Sequence, residues 1–98
     1  MIRVIIPHHL RTLAKVSDEL QIEADGSATI RQVIDAIEEK YPVLRGTIRD
    51  HGTHQRRALV RYFACGEDIS HEPVDTPLPA AIVKGEEPFI ILGAIAGG

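Results

Sequence analysis

The clearest structural signal in the chain is the stretch Thr29-Ile30-Arg31-Gln32-Val33-Ile34-Asp35-Ala36-Ile37-Glu38-Glu39-Lys40-Tyr41-Pro42. Its apolar residues recur at the spacing of one helix face; they are Ile30, Val33, Ile34, Ile37 and Tyr41. Thr29 and Gln32 have the spacing of a capping box at a helix start. Pro42 ends the pattern, because the residue before a proline is pushed out of the helical region. The stretch predicts a helix over residues 29–40 with one apolar face.

Short β-branched or alternating segments on both sides of this helix predict strands. They are residues 2–6, 19–24, 59–65 and 89–92, with a brief strand at Ile69. Pro7 ends the first segment, and Asp25-Gly26 supplies a turn before the helix. The first two segments are close in sequence, which suits an antiparallel pair. Since one amphipathic helix covers one face of one sheet, we predict an α+β fold with a mixed sheet packed on one main helix.

Length and composition restrict the class of protein. The chain has 98 residues and a formal net charge of −3, so we expect one small domain that is not a dedicated nucleic-acid binder. The single cysteine, Cys65, excludes an internal disulfide and an all-cysteine metal site. No apolar run approaches the roughly 20 residues of a membrane span, and the sequence after Met1 lacks the features of a signal peptide. We expect a soluble cytoplasmic protein with no membrane partner.

The sequence contains no familiar catalytic motif. It has no glycine-rich phosphate loop, no G-x-S-x-G and no H-E-x-x-H. His51 and His54 lie in a polar stretch without companion ligands, so we expect solvated loop histidines rather than a metal site. Cys65 has no histidine near it in sequence, and we expect it to be a small, half-buried packing residue rather than a nucleophile. The sequence thus predicts no catalytic residue, no metal and no bound cofactor.

A group of arginines follows the helix. Arg56, Arg57 and Arg61 form a basic patch that Arg45 and Arg49 are candidates to join. The patch is either a solvated face or a docking site for an acidic partner, since charges at the rim of an interface steer association.

The sequence ends in Gly97-Gly98. Glycine has no Cβ, so a glycine tail can pass through a channel that is too narrow for other residues. The six residues 93–98 span up to about 20 Å when extended, and such a tail could carry its carboxylate into the active site of another protein. A frayed terminus of small residues is the alternative.

The order of elements together with this ending resembles the MoaD/ThiS family of ubiquitin-like sulfur carriers, which have the β-grasp fold. The resemblance is carried by the turn Lys84-Gly85-Glu86-Glu87 and by the ending Ile90-Ile91-Leu92-Gly93-Ala94-Ile95-Ala96-Gly97-Gly98. Residues 65–69 are similar to the family's hairpin, and residues 2–6 and 29–41 to its first strand and helix, so the likeness covers nearly the whole chain. The ending looks most similar to the carriers that supply sulfur for cysteine synthesis. Two features depart from the family's pattern: Gly93, where a proline or another residue is common, and the long loop 50–57.

The resemblance implies a protein cosubstrate rather than an enzyme. An adenylating enzyme of the ubiquitin-activating type would use ATP to join the carboxylate of Gly98 to AMP. A sulfur donor would then displace AMP and leave a thiocarboxylate, whose sulfur passes to an acceptor enzyme. Gly97, Ala96 and Ile95 would thread into the partner, as part of a flexible tail (residues 93–98) on a β-grasp domain (residues 1–92). The sulfur-accepting pathway is open among cysteine, homocysteine, thiamine, molybdopterin and other thio-metabolites.

Two other functions fit the same sequence. In a ubiquitin-like protein modifier, a lysine instead of sulfide attacks the activated Gly98 and forms an isopeptide bond. In a plain interaction domain of the same fold, the Gly-Gly ending has no chemical role.

Alternation within residues 59–65 predicts the surface that docks the partner. Val60, Tyr62 and Ala64 fall on one face of the strand, and Arg61 and Phe63 fall on the other. Burying Arg61 without a partner would be costly, so Val60 and Tyr62 are predicted to face the helix. The predicted docking surface is therefore an apolar patch rimmed by arginine, formed by Phe63, Arg61, Ile90 and Leu92.

Overall fold

The computed structural model describes residues 1–24 and 26–93. In that part of the chain, one sheet is formed by strands β1 (Ile2–Ile5), β2 (Leu20–Ile22), β3 (Val60–Ala64), β4 (Glu67–Asp68) and β5 (Phe89–Gly93). The helices are α1 (His8–Ala14), α2 (Ile30–Lys40) and α3 (Ala80–Val83), with a 3₁₀ turn at Pro42–Leu44. The strand order is β2-β1-β5-β3-β4. Strands β1 and β5 run parallel, and the other neighbouring strands run antiparallel.

Helix α2 forms as its sequence predicts. The Thr29 side chain accepts a hydrogen bond from the backbone N–H of Gln32, and the Gln32 side chain accepts one from the backbone N–H of Thr29. The predicted apolar stripe is buried in the same core as the inward face of the sheet, apart from the half-buried Tyr41. Both the α+β architecture with one main helix and the antiparallel pairing of β1 with β2 are confirmed.

Two short helices were not predicted. Helix α1 begins directly after Pro7, without a side-chain cap, and ends at Lys15, whose φ of 60° is left-handed. It buries only Leu10, so its apolar pattern is faint. Helix α3, Ala80–Val83, also starts after a proline, in a stretch that was expected to be irregular.

Strand boundaries also differ from the sequence prediction. Strand β5 extends by one residue to Gly93, which pairs with Val60 of β3. Strands β3 and β4 are joined by a tight turn at Cys65 and Gly66, both with positive φ (52° and 80°), as in a two-residue hairpin. Cys65 is exposed at the tip of this turn, so its expected half-buried packing role is wrong.

Candidate functional site

The sheet face opposite helix α2 is the predicted docking surface. The register of β3 and β5 pairs Arg61 with Leu92 and Phe63 with Ile90, and β1 brings Ile5 beside Ile90. We call these five residues the open face. The predicted face assignment is confirmed, because the alternate residues of β3 are buried in the core; they are Val60, Tyr62 and Ala64.

The open face is apolar at its centre and charged at its margin. Phe63, Ile90 and Ile5 are half-buried, and 48% of Leu92 is exposed. Arg61 is exposed, and its Nη1 lies 3.2 Å from Nε2 of His71 on the surface. A continuous apolar patch with a polar rim is typical of surfaces that bind another protein.

Strand β5 leads the chain to one end of this face. It lies between β1 and β3, and it pairs with β1 as far as Ile90 and with β3 as far as Gly93. The residues predicted to thread into a partner and to be activated lie outside the described residues; they are Ile95, Ala96, Gly97 and Gly98. The structure thus positions the start of the tail, and the roles of its last residues stay predictions.

The basic patch does not form as one unit. Arg49 is buried, and its guanidinium binds Glu38 through Nε and Nη2 (3.1 and 2.9 Å) and Asp35 through Nη2 (2.6 Å). Burial opposes the charge of Arg49, but its hydrogen bonds with the two carboxylates outweigh that penalty and raise its pKa. Arg49 therefore does not join the patch, because it ties the segment after the 3₁₀ turn to helix α2.

The Arg56 side chain also makes hydrogen bonds within the domain. Its guanidinium donates to the carbonyl oxygens of Val60 (2.6 Å), Ser70 (3.3 Å) and Arg57 (3.3 Å). Of the three arginines at the centre of the predicted patch, Arg57 and Arg61 are left as exposed cations.

His51 and His54 lie exposed in the loop before β3, as expected. Asp50 orders the loop by accepting backbone hydrogen bonds from Thr53 (2.8 Å) and Gly52 (2.9 Å), and these bonds lower the pKa of Asp50. Within residues 1–24 and 26–93, no three histidine, cysteine or acidic side chains are grouped so that they could hold a metal ion. In the same ranges, no helix is long and apolar enough to cross a membrane.

No protein-family model matches the sequence, and no curated protein matches it. Solved structures do match the fold over the whole chain. SAMP1 from Haloferax volcanii has a TM-score of 0.75 at 16% identity, covering 99% of this chain and 98% of that one. A chain of the Amycolatopsis orientalis BexX/CysO complex has a TM-score of 0.77 at 19% identity and covers 100% of both chains. Small archaeal modifier protein 1 from Methanosarcina acetivorans has a TM-score of 0.69 at 20% identity, covering 99% of this chain and 95% of that one. The chain therefore has the ubiquitin-like β-grasp fold that its sequence predicted.

Proposed function

We propose that this protein is a sulfur carrier, whose Gly98 carboxylate is adenylated by a partner enzyme and then converted to a thiocarboxylate. The observation that carries the proposal is the course of strand β5. It runs through the centre of the sheet beside an exposed apolar face and reaches Gly93, five residues before Gly98. The likeness in fold to a chain of the BexX/CysO complex supports the same function.

The chemistry needs activation from outside the chain. A carboxylate is a poor acyl donor because its leaving group is oxide. Attack of the Gly98 carboxylate oxygen on the α-phosphorus of ATP would give an acyl-adenylate and release pyrophosphate. Sulfide would then attack the acyl carbon, expel AMP and leave the thiocarboxylate directly. A persulfide donor would instead expel AMP to give an acyl disulfide, and a thiol would have to attack the donor's sulfur and release the thiocarboxylate with formation of a disulfide. The carrier contributes its carboxylate and its docking surface, and the partner contributes ATP and the catalytic groups.

The distance that the tail can cover limits how the partner binds. Residues 94–98 reach about 17 Å beyond Gly93 when fully extended. The reactive carboxylate therefore stays within that distance of the sheet, and the partner must contact the domain close to the end of β5. The open face borders this end, so it is the surface we assign to the adenylating enzyme.

The decisive experiment is ATP-dependent adenylation by the cognate adenylating enzyme, followed by intact-mass measurement with a sulfur donor. The unmodified mass must first match a free carboxylate on Gly98. Conversion of oxygen to sulfur then adds about 16 Da. Deleting Gly98 moves the carboxylate back by about 3.5 Å, and a displacement of about 1 Å can already cost a hundredfold in rate. Undiminished adenylation of the deletion variant would refute the proposal.

Gly97→Val provides a second variant of the tail. A branched side chain would obstruct a narrow channel and restrict the backbone, so adenylation should fall while the thermal melt stays unchanged. A large loss in Tm would show instead that Gly97 has a structural role.

Docking can be tested separately from chemistry. Phe63→Ala should weaken binding to the adenylating enzyme, because it removes the aromatic ring from the centre of the open face. Leu13→Ala is the matched control, since Leu13 is an apolar residue of α1 that is 44% exposed and is not one of the five residues of the open face. Equal binding by the two variants would place the docking surface elsewhere.

A ubiquitin-like protein modifier is the second candidate function. It is favoured by the likeness in fold to proteins named small archaeal modifier proteins. The same adenylation would precede it, but a lysine amine would displace AMP and form an isopeptide bond. High-mass conjugates that survive reduction would support the modifier, and a thiocarboxylate alone would support the carrier.

A further inference from the structure

Two grooves flank the end of strand β5. They adjoin each other and share the residues Pro7, Ala58, Leu59, Ile91 and Gly93. The first opens beside the open face and is also lined by Arg11 and Arg61. The second lies beside α1 and the loop before β3, and is also lined by His9 and Arg57. Any partner that receives the tail must pass this surface, which we call the exit surface.

The exit surface holds arginines without carboxylate partners. Elsewhere in the described part of the chain, ion pairs are made by Arg3, Arg31 and Arg49. Among the described residues, no carboxylate lies within 4.0 Å of the guanidinium nitrogens of Arg11, Arg57 or Arg61. The chain as a whole has a net charge of −3, so the positive charge here is local.

Contacts other than ion pairs hold these three guanidinium groups. Arg11 donates to the carbonyl oxygen of Ile6 (2.8 Å), and Arg57 donates to that of Gly46 (3.0 Å). Arg61 contacts His71. A carbonyl oxygen orients a guanidinium without cancelling its charge, and each arginine keeps further N–H donors for a ligand. The three side chains are therefore oriented before a partner arrives.

The described lining of both grooves includes one carboxylate, that of Asp50. That carboxylate accepts hydrogen bonds from Gly52 and Thr53 of its own loop, and although the charge of Arg57 acts on it, the two groups lie more than 4.0 Å apart and form no ion pair. The lining also includes Leu59 and Leu92, which are 53% and 48% exposed. The exit surface thus combines positive charge with exposed leucine side chains.

We propose that the exit surface binds an acidic segment of a partner protein, in which carboxylates meet Arg11, Arg57 and Arg61 and an apolar side chain covers Leu59 and Leu92. Charge complementarity supports this occupant, since arginine forks match carboxylates and exposed leucines favour a protein. The inference rests on the proposed function for the identity of that partner, the enzyme that receives the tail. Binding here would hold the domain with the start of the tail at the entrance to the active site.

The test uses a synthetic peptide, acetyl-Glu-Asp-Leu-Glu-Leu-Asp-Glu-amide, titrated into the ¹⁵N-labelled full chain. Amide shifts are expected around Arg11, Arg57, Leu59 and Gly93, and they should weaken as salt is added because the contacts are between exposed charges. A matched peptide with glutamine and asparagine in place of the acids should leave these amides unmoved. Equal shifts with both peptides, or shifts confined to other surfaces, would overturn the proposal.

Charge-removing variants localise the binding. Arg57→Gln and Arg61→Gln should each weaken the acidic peptide by about threefold, the scale of an exposed ion pair. Lys84→Gln removes the same charge before the opposite end of β5 and should have no effect. Equal weakening by all three would reveal a nonspecific charge effect and refute the assignment. Tighter binding of oligo-dT than of the peptide would also overturn it, in favour of a nucleic acid.

The peptide titration does not require activation of Gly98. If the chain binds the peptide but is not adenylated, the assignment of the exit surface stands and the proposed function is refuted. If the chain is adenylated but does not bind the peptide, the proposed function stands and the acidic partner segment is refuted.

Discussion

Removing the charge of Arg49 should destabilise the fold strongly, because it leaves Glu38 buried without a cation. The side chains of Arg49 and Glu38 are 6% and 10% exposed, and two hydrogen bonds join them. Breaking a buried pair from one side costs about 3–5 kcal/mol, most of it from the stranded charge. Asp35 adds less than about 1 kcal/mol, since its side chain is 52% exposed. Arg49→Met should therefore lower the free energy of unfolding by about 3–5 kcal/mol.

Urea unfolding measures this loss, and two further variants test whether it comes from the stranded buried charge. Arg31→Met breaks the exposed pair with Asp75, which has similar geometry (2.7 and 3.2 Å) but side chains that are 43% and 70% exposed. Its cost should stay below about 1 kcal/mol. The double variant Arg49→Met with Glu38→Leu removes both buried charges and should recover most of the stability, because an apolar pair can replace a buried ion pair at little cost.

A loss for Arg49→Met no larger than that for Arg31→Met would refute the reasoning. So would a double variant as unstable as the single one, because the stranded carboxylate would then not be the cause. In thermal melts, each kcal/mol corresponds to about 4–8 °C for a domain of this size.

Three other outcomes concern single positions. Gly85→Ala should destabilise the fold more than Gly66→Ala. Both glycines have a positive φ (79° and 80°), but only at Gly85 would an added Cβ meet a backbone oxygen, that of Met1, at 2.6 Å. Equal losses of the free energy of unfolding in urea would contradict the clash. Thr29→Ala should cost about 1 kcal/mol through loss of the N-cap of α2, and an unchanged midpoint would contradict the cap's role. Burial raises the pKa of Tyr62 to about 12, above the value of 10.0 that applies when it is exposed, so the folded state holds its proton longer than the unfolded state. The free energy of unfolding should therefore fall as the pH rises from about 10 to about 12, and the fall should be smaller in Tyr62→Phe.

Helix α2 and the face assignment of β3 could be predicted because their signals are local. The capping box of Thr29 and Gln32 lies within one turn, and the alternation about Tyr62 follows from the pleat of a single strand. Helix α1 could not, because it has no side-chain cap and buries one residue, Leu10. Its position depends on packing beside the 3₁₀ turn, which is remote in sequence.

The distribution of charge was the least predictable part of the site. Sequence alone places Arg49 with its arginine neighbours, but its partners Asp35 and Glu38 lie 14 and 11 positions away on another element. Arg11 was not recognised as part of the site, since only the fold brings α1 to the end of β5. Tertiary packing therefore determines which arginines pair with a carboxylate, and no local sequence pattern indicates it.

The central position of β5 has a mechanical consequence. A pull on the chain beyond Gly93 acts along β5, and it loads the hydrogen bonds to β1 and to β3 in shear at the same time. An edge strand can peel away bond by bond, whereas this strand must break its bonds to both neighbours together. An unfoldase that grips the chain beyond Gly93 should meet its highest barrier at the first step. Under the proposed function, withdrawing the end from the active site of the adenylating enzyme should therefore leave the domain folded.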